Sequence, residues 1–247
     1  MSILKFDNVS LIYHTLSNET LAIKSLDFEI KKGEFVAIVG PSGCGKTTIL
    51  SLIAGILKPS SGQIVMADGL KSGYMFQKDH LFNWRTIYKN ITLGLELQKK
   101  DTPKSIPYIK DLSEKYGIGD FLDHYPNQLS GGMRQRVALI RTLALMPDIL
   151  LLDEPFSALD FQTRLDVCDD VWRIIKSEEK TAILVTHDIH EAISMADRVI
   201  ILSKRPAVVK KIVTIRLDKD LTPFERRGQK EFKKYFDTIW KELQYEK

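Results

Sequence analysis

Apolar and polar residues alternate in the first thirty positions of the chain. The apolar residues of the first segment lie between polar ones: Ile3, Phe6, Val9, Leu11 and Tyr13. A polar turn at Ser17-Asn18-Glu19 leads to a second alternating segment at residues 26–30. Such alternation is typical of strands with one buried face. The sequence therefore predicts antiparallel strands at the start of the chain.

Uninterrupted apolar runs farther along predict a different kind of strand. They cover residues 35–39, 149–152, 181–185 and 199–202, and a further short strand is predicted at 72–77. Continuous runs suit central parallel strands that are buried on both faces. Helix-patterned segments separate these runs, including residues 131–144 and 189–196. This alternation predicts an α/β fold with a parallel sheet.

The stretch from residue 88 to residue 128 is helix-patterned but broken by prolines and glycines: Pro103, Pro107, Gly117, Gly119 and Pro126. We expect a small helical subdomain, at about 88–146, inserted into the α/β core. The predicted organisation is one domain over 1–221, built on this α/β core, and a C-terminal amphipathic helix over 222–247. Thr222, Pro223 and Glu225 form a helix start in which a cap is followed by proline and, three residues on, glutamate. Apolar residues then recur every three or four positions: Phe232, Phe236, Ile239, Trp240 and Leu243.

Composition narrows the classes of protein that remain. The chain has 247 residues, a net charge of +4 and 44% hydrophobic residues, which suffice for a large core. Residues 204–247 hold 13 Lys and Arg against 7 Asp and Glu, so only the tail is basic. Basic residues interleaved with aromatic ones along a stripe would indicate nucleic-acid binding, and we expect none here. Without a membrane-spanning run, a secretory signal or a disulfide pattern, we expect a cytoplasmic protein.

A glycine-rich loop between the strand at 35–39 and a helix carries the strongest chemical signal. Its spacing, G-x-x-x-x-G-K-T, lets backbone N–H groups close around a phosphate while the helix N-terminus adds positive potential. Lys46 would reach the β- and γ-phosphates, and Thr47 would offer its hydroxyl to Mg²⁺. We therefore predict a nucleotide site at this loop, formed by Gly40, Pro41, Ser42, Gly43, Cys44, Gly45, Lys46, Thr47 and Thr48.

A second helix start has the same character. Ser130, Gly131 and Gly132 open the helix at 131–144. A serine and two glycines at a helix N-terminus can bind an anion, yet one nucleotide needs only one such loop. The segment is therefore either an ordinary helix cap or half of a site for another molecule's phosphate.

Polar residues follow the buried strands, where ligands bind in open α/β sheets. Asp153 and Glu154 end the run at 149–152, which suggests Asp153 as a Mg²⁺ ligand and Glu154 as the general base for the attacking water. Gln77 and His187 end two other strands. Gln77 would reach a metal-bound water or the γ-phosphate, and His187 would contact the γ-phosphate. Tyr13 is placed to stack on a base, and Asp160 is either a helix cap or an interface contact.

Taken in order, these motifs resemble the nucleotide-binding subunit of ABC transporters over residues 1–205. The motifs are Tyr13, the loop at 40–48, Gln77, Leu129-Ser130-Gly131-Gly132-Met133, Leu152-Asp153-Glu154-Pro155, Ser157-Ala158-Leu159-Asp160 and His187. The resemblance implies an ATPase in which two subunits, arranged head to tail, hold two ATP molecules. Each ATP then lies between one phosphate loop and the other subunit's Ser130-Gly131-Gly132. It also implies adenine stacking on Tyr13, metal sensing by Gln77, an interface role for Asp160 and a γ-phosphate switch at His187.

The segment after Gln77 resembles ATPases of nitrate, sulfonate and taurine importers, with Asn83 where a proline is usual in that group. The residues are Leu81, Phe82, Asn83, Trp84, Arg85, Thr86 and Asn90. The partners implied are a second copy or a homologous ATPase subunit, a transmembrane permease at the inner face of the membrane and, indirectly, a substrate-binding protein. A non-import ABC ATPase, in export, lipoprotein release or division, is the alternative. A phosphate-loop kinase would lack the Leu-Ser-Gly-Gly element.

Overall fold

The computed structural model describes residues 1–14, 18–99 and 105–244, so Ser17 and Pro103 lie outside the described residues. The strands within these ranges, in chain order, are β1 (Ser2–His14), β2 (Glu19–Lys31), β3 (Phe35–Val39), β4 (Ser61–Met66), β5 (Ser72–Met75), β6 (Ile149–Asp153), β7 (Thr181–Val185), β8 (Arg198–Leu202) and β9 (Val209–Thr214). The α-helices are α1 (Lys46–Ile53), α2 (Ile87–Leu97), α3 (Ser105–Lys115), α4 (Gly131–Leu143), α5 (Phe161–Ser177), α6 (Ile189–Met195), α7 (Pro223–Arg226) and α8 (Lys230–Gln244).

The five predicted core strands and one further strand, β9, form a six-stranded sheet in the order β5-β6-β7-β3-β8-β9. Strands β5, β6, β7, β3 and β8 are parallel, and β9 pairs antiparallel with β8 at one edge. All residues of β3, β6 and β7 are buried, as their continuous apolar sequences predict. The α/β fold predicted from the sequence is confirmed. Its chemical consequence is that the ends of β3, β6 and β7 lie side by side.

The alternating segments form a second sheet, in which β1 pairs antiparallel with both β2 and β4. The rings of Phe6 and Phe28 stack at 4.4 Å between centroids on its buried face. The antiparallel pair β1–β2 is confirmed. The third strand, β4, was not predicted, because its residues are mostly exposed and carry little apolar alternation.

Between β5 and β6 the chain forms the helices α2, α3 and α4 and two short 3-10 turns, Gly119–Phe121 and Pro126–Gln128. Buried residues of these helices join the core that lies on one face of the large sheet, among them Ile91, Ile109 and Ile140. A helical insertion therefore exists where the sequence predicts it.

The prediction of one helix from residue 222 is wrong. Pro223–Arg226 is a single turn, and a second helix, α8, begins at Lys230. The predicted cap is correct, since the Thr222 hydroxyl accepts from the Glu225 N–H and the Glu225 carboxylate accepts from the Thr222 N–H. The break follows at Arg227, Gly228 and Gln229, and glycine is among the weakest helix formers. None of the helices in the described ranges is both long and apolar enough to cross a membrane.

Candidate functional site

The glycine-rich loop lies between β3 and α1, as the sequence predicts. Gly45 precedes α1 with φ 117°, a backbone conformation that side-chain-bearing residues rarely adopt. Lys46 is buried, and its Nζ donates to the carbonyl oxygens of Gly40 at 2.9 Å and Pro41 at 3.2 Å. The ammonium group therefore lies over the loop itself, with its charge at the N-terminus of α1. This cradle fits a polyphosphate.

Thr47 and Asp153 meet beside this loop although they are 106 positions apart. The Thr47 hydroxyl donates to Asp153 Oδ1 at 3.0 Å, and the Tyr74 hydroxyl donates to Oδ2 at 3.0 Å. Burial raises the pKa of Asp153, and the hydrogen bonds from Tyr74 and Thr47 oppose this shift. Burial and then the Asp153 charge raise the pKa of Tyr74, so Tyr74 remains a protonated donor. A hydroxyl and a carboxylate beside phosphates are oxygen ligands that suit Mg²⁺.

Glu154 and His187 also come together, one after β6 and the other after β7. His187 Nδ1 lies 3.0 Å from Glu154 Oε2, with 57% of the His187 side chain and 22% of the Glu154 side chain exposed. The Glu154 backbone has φ 45°, which is uncommon for a non-glycine residue, and its N–H donates to Val185 O at 2.8 Å. The turn after β6 thus directs the Glu154 carboxylate toward the loop after β7.

Gln77 reaches this pair through Ser157. Gln77 Nε2 donates to the Ser157 hydroxyl at 3.2 Å, and that hydroxyl donates to the Glu154 carbonyl at 3.0 Å. The Gln77 amide therefore contacts the loop at 157–160. Within the described residues, no hydrogen bond joins Gln77 to the Thr47–Asp153 pair.

Tyr13 stands at the end of β1 next to the glycine-rich loop. Its hydroxyl and the Thr48 hydroxyl are 3.1 Å apart, and 37% of the residue is exposed. The structure thus brings Tyr13 to the N-terminal turn of α1 with part of its ring facing solvent. Stacking of a base on this ring stays a prediction.

Ser130 and Asp160 both cap helices. The Ser130 hydroxyl accepts from the Met133 N–H at 3.3 Å, and Asp160 Oδ1 accepts from the Thr163 N–H at 3.0 Å. The hydrogen bonding from Thr163 also lowers the pKa of the Asp160 carboxyl group. Both residues are exposed, and none of the hydrogen bonds between described residues connects Ser130 to the loop at 40–48.

The two caps lie on neighbouring elements because α4 packs closely on α5. A Cβ atom on Gly132 would lie 3.0 Å from Val167 Cγ2 and 3.1 Å from Thr163 Cγ2, so only glycine fits this approach without a shift. A Cβ atom on Gly131 would lie 3.3 Å from Leu159 Cδ2. The second helix start and the loop at 157–160 therefore form one continuous surface.

Several polar residues of this region were not predicted from the sequence. Tyr74 is hidden within an apolar strand, and its contact with Asp153 spans 79 positions. Thr186 and Glu191 surround the turn at His187, where the Thr186 hydroxyl donates to Glu191 Oε2 at 2.6 Å. Burial raises the pKa of Glu191 to about 7. The one available signal was a glutamate on the apolar helix pattern of 189–196, which places a carboxyl group against the core.

Comparison with known proteins gives a family and several relatives. The family model described as "ABC transporter" matches residues 23–157. An uncharacterized ABC transporter ATP-binding protein of Bacillus subtilis, YtlC, is 45% identical over 98% of this chain and 96% of its own length. The taurine import ATP-binding protein TauB of Pelagibacter ubique is 40% identical over 85% of this chain and 82% of its own. The bicarbonate transport ATP-binding protein CmpC of Synechococcus elongatus is 42% identical over 76% of this chain and 30% of its own.

The structural neighbours are cassettes of the same kind. A dimeric post-hydrolysis state of the ATP-binding cassette MJ0796, bound to ADP and Pi, superposes with a TM-score of 0.70 at 31% identity. The matched region covers 87% of this chain and 99% of the MJ0796 chain. A second dimeric structure of MJ0796 has the same TM-score at 32% identity.

Proposed function

Because the chain belongs to the ABC transporter family as an ATP-binding subunit, we propose that two copies of it bind and hydrolyse ATP. This hydrolysis would drive import of a small anion or nutrient through a membrane permease. The observation that carries the proposal is the meeting of the Thr47–Asp153 and Glu154–His187 pairs beside the glycine-rich loop. One pair suits a metal-bound phosphate and the other suits an attacking water. Together they form a phosphoanhydride hydrolysis site.

Phosphate binding is assigned to the loop and its lysine. Lys46 would exchange its contacts with the Gly40 and Pro41 carbonyls for phosphate oxygens, since both are acceptors. Thr47 and Asp153 would hold Mg²⁺, which when bound offsets negative charge on the phosphates. Tyr74 keeps the Asp153 carboxylate oriented toward Thr47. Tyr13 would cover the adenine base from the end of β1.

Hydrolysis is assigned to Glu154. Its carboxylate would accept a proton from water as that water attacks the γ-phosphorus and the bond from this phosphorus to the bridging oxygen breaks, with ADP as the leaving group. His187, whose Nδ1 lies 3.0 Å from Glu154 Oε2, would hold the carboxylate and the phosphate in a common arrangement. Gln77 is linked to the Glu154 backbone by hydrogen bonds through Ser157. A displacement of the segment after β5 would therefore be transmitted to Glu154. This path would connect a permease contact with the hydrolytic residue.

The second copy completes the site in the proposed assembly. Ser130, Gly131 and Gly132 form a helix start on the same surface as Asp160, with Ser130 exposed, Gly131 half-buried and Gly132 buried. In the head-to-tail dimer, the helix start of one copy would bind the γ-phosphate held by the other copy's loop. The dimeric MJ0796 cassettes, one with ADP and Pi, support this assembly.

The permease would bind the segment between Gln77 and Asn90. Trp84 is 74% exposed, and its ring lies 4.8 Å from that of Phe82. The buried Asn90 holds the turn beneath them, because its amide donates to the carbonyls of Phe82, Arg85 and Thr86. An exposed aromatic pair on a fixed turn is suited to bind a partner helix. Relatives named for taurine import and bicarbonate transport support a small-anion substrate.

Steady-state ATP hydrolysis tests the assignment of Glu154. The Glu154→Gln variant keeps the shape of the side chain but cannot accept the proton, so we expect turnover to fall by ~10²-fold or more. ATP affinity, measured by equilibrium binding, should stay within about twofold of the wild type, because Glu154 acts on the water. Hydrolysis at nearly the wild-type rate would show that Glu154 is not the base.

A further inference from the structure

We propose that Arg164 is a positioning residue that couples the loop at 157–160 to His187 through Asp188. The proposal rests on the function proposed above, in which the loop at 157–160 contacts the second copy. Arg164 lies in the first turn of α5, directly after that loop. Its guanidinium group contacts that loop on one side and the turn after β7 on the other.

The first contact fixes the end of the loop. Arg164 Nη2 donates to the Leu159 carbonyl at 2.9 Å, next to the capping residue Asp160. The Arg164 N–H donates to the Asp160 carbonyl at 2.9 Å as part of the helix. The backbone at 159–160 therefore moves together with the guanidinium group of Arg164.

The second contact reaches the residue that follows His187. Arg164 Nη1 lies 3.8 Å from Asp188 Oδ2, and both side chains are only a quarter exposed. Asp188 Oδ1 accepts from the His190 N–H at 2.7 Å and so caps α6, while the Asp188 N–H donates to the Thr186 hydroxyl at 3.0 Å. Asp188 is thus bonded to a residue before His187 and to a residue after it. The position of Asp188 therefore determines where the His187 imidazole points.

Arginine suits this role because its planar fork can bind two groups at once. The remaining nitrogen, Nε, is buried and has no hydrogen-bond partner among the described residues. Burying an unpaired donor is unfavourable, so the two Nη contacts must hold the guanidinium group in this position. When a second copy displaces the loop at 157–160, the fork would carry Asp188 with it. His187, whose Nδ1 already lies 3.0 Å from Glu154 Oε2 in the single copy, would then be brought to the γ-phosphate when the dimer closes.

Single-turnover ATP hydrolysis by the full chain tests this coupling, because it resolves slow rates. The variants are Arg164→Gln, His187→Ala, the double variant and, as control, Arg173→Gln, which removes a 58% exposed arginine from the same helix. We expect Arg164→Gln to lower the rate by about 3- to 30-fold, with ATP affinity and melting temperature close to the wild type and no change in the control. In the His187→Ala background, Arg164→Gln should have no further effect.

Rate losses that multiply in the double variant would show that Arg164 does not act through His187. An unchanged rate for Arg164→Gln, or a loss confined to ATP affinity, would also overturn the proposal. ATP-dependent dimerisation of Glu154→Gln distinguishes a failure of the Arg164 coupling from a failure of the proposed function. If that variant dimerises while the Arg164 and His187 losses multiply, the coupling is wrong and the proposed function stands. If it remains monomeric, the proposed function fails first.

Discussion

At the scale of single residues, Glu191 is the carboxyl group that burial disturbs most clearly. It is 3% exposed beneath the His187 turn, and burial raises its pKa from 4.5 to about 7. The Thr186 hydroxyl donates to it, while the nearby Asp188 also raises its pKa and Arg164 lowers it. In the unfolded chain Glu191 ionises near pH 4.5, whereas in the folded chain it ionises only near pH 7. Folding therefore becomes less favourable as pH rises through this window.

This shift predicts a pH-dependent effect of Glu191→Gln on stability. Glutamine does not ionise, so the variant should gain stability relative to the wild type by roughly 2 kcal/mol between pH 5 and pH 8. Urea unfolding at a series of pH values measures the difference. A difference that stays constant across that range would show that Glu191 ionises normally in the folded protein.

The residues of the site were predictable to different degrees. Lys46, Thr47, Asp153 and Glu154 follow from local patterns, because a loop spacing or a strand end is visible in a few neighbouring positions. The pairing of Glu154 with His187, 33 positions away, required the order of strands in the sheet. Contacts such as Tyr74 with Asp153 or Arg164 with Asp188 have no local signal and exist only after folding.

At the scale of elements, the C-terminal helices are held by the core of the same chain. Arg226 is buried, donates to the Ser194 carbonyl at 3.0 Å and lies 4.8 Å from the centre of the Trp172 ring. In α8, Phe232 and Ile239 are buried, and the Phe236 ring lies 4.8 Å from that of His190 on α6. The apolar positions recognised in the sequence thus include the face by which α8 packs.

Point variants in α8 test this packing. We expect Ile239→Ala to lower the free energy of unfolding by about 2–5 kcal/mol, because a fully buried side chain leaves a cavity. Trp240→Ala, in which a 48% exposed residue is truncated, should cost less than about 1 kcal/mol and serves as the control. Chemical denaturation gives both values. Equal effects of the two substitutions would mean that α8 does not pack as described.

The segment carrying Trp84 is the element assigned to the permease. Trp84→Ala should weaken co-purification with the cognate permease and lower transport by roughly tenfold or more, since an exposed aromatic anchor typically contributes about 2 kcal/mol or more to an interface. ATP hydrolysis by the isolated subunit should not change. Phe224→Ala, in a 58% exposed residue of α7, is the matched control. Unaltered permease binding by Trp84→Ala would remove this segment from the interface.

Elements with strong periodicity were predicted well, whereas the edge strands β4 and β9 were not. The strand β3 matches its predicted bounds, and α6 ends one residue earlier than expected. The strand β9 was missed because two lysines interrupt its apolar pattern, as is common for edge strands. Pattern alone could not predict that α7 and α8 are separate, since where each of them packs depends on distant residues of α5 and α6.

At the scale of the whole molecule, the chain has two elements that would each contact phosphate in the proposed dimer, and both would face the same partner copy. The loop at 40–48 lies at the end of β3, and the helix start at Ser130 lies on the insertion between β5 and β6. In a single copy, none of the hydrogen bonds between described residues joins the loop to the helix start of the same copy. Two copies arranged head to tail would complete both sites, so nucleotide binding and dimerisation would be one event.

Sedimentation velocity of Glu154→Gln with Mg²⁺ and ATP is the most direct test of this claim. Because we expect Glu154→Gln to bind ATP without consuming it, we predict a dimer that forms with ATP and dissociates when ATP is removed. Introducing Ser130→Arg into this variant places a bulky side chain at the exposed helix start and should keep it monomeric with ATP bound. A Glu154→Gln protein that stays monomeric at high concentration, or a Ser130→Arg variant that dimerises equally well, would contradict the account.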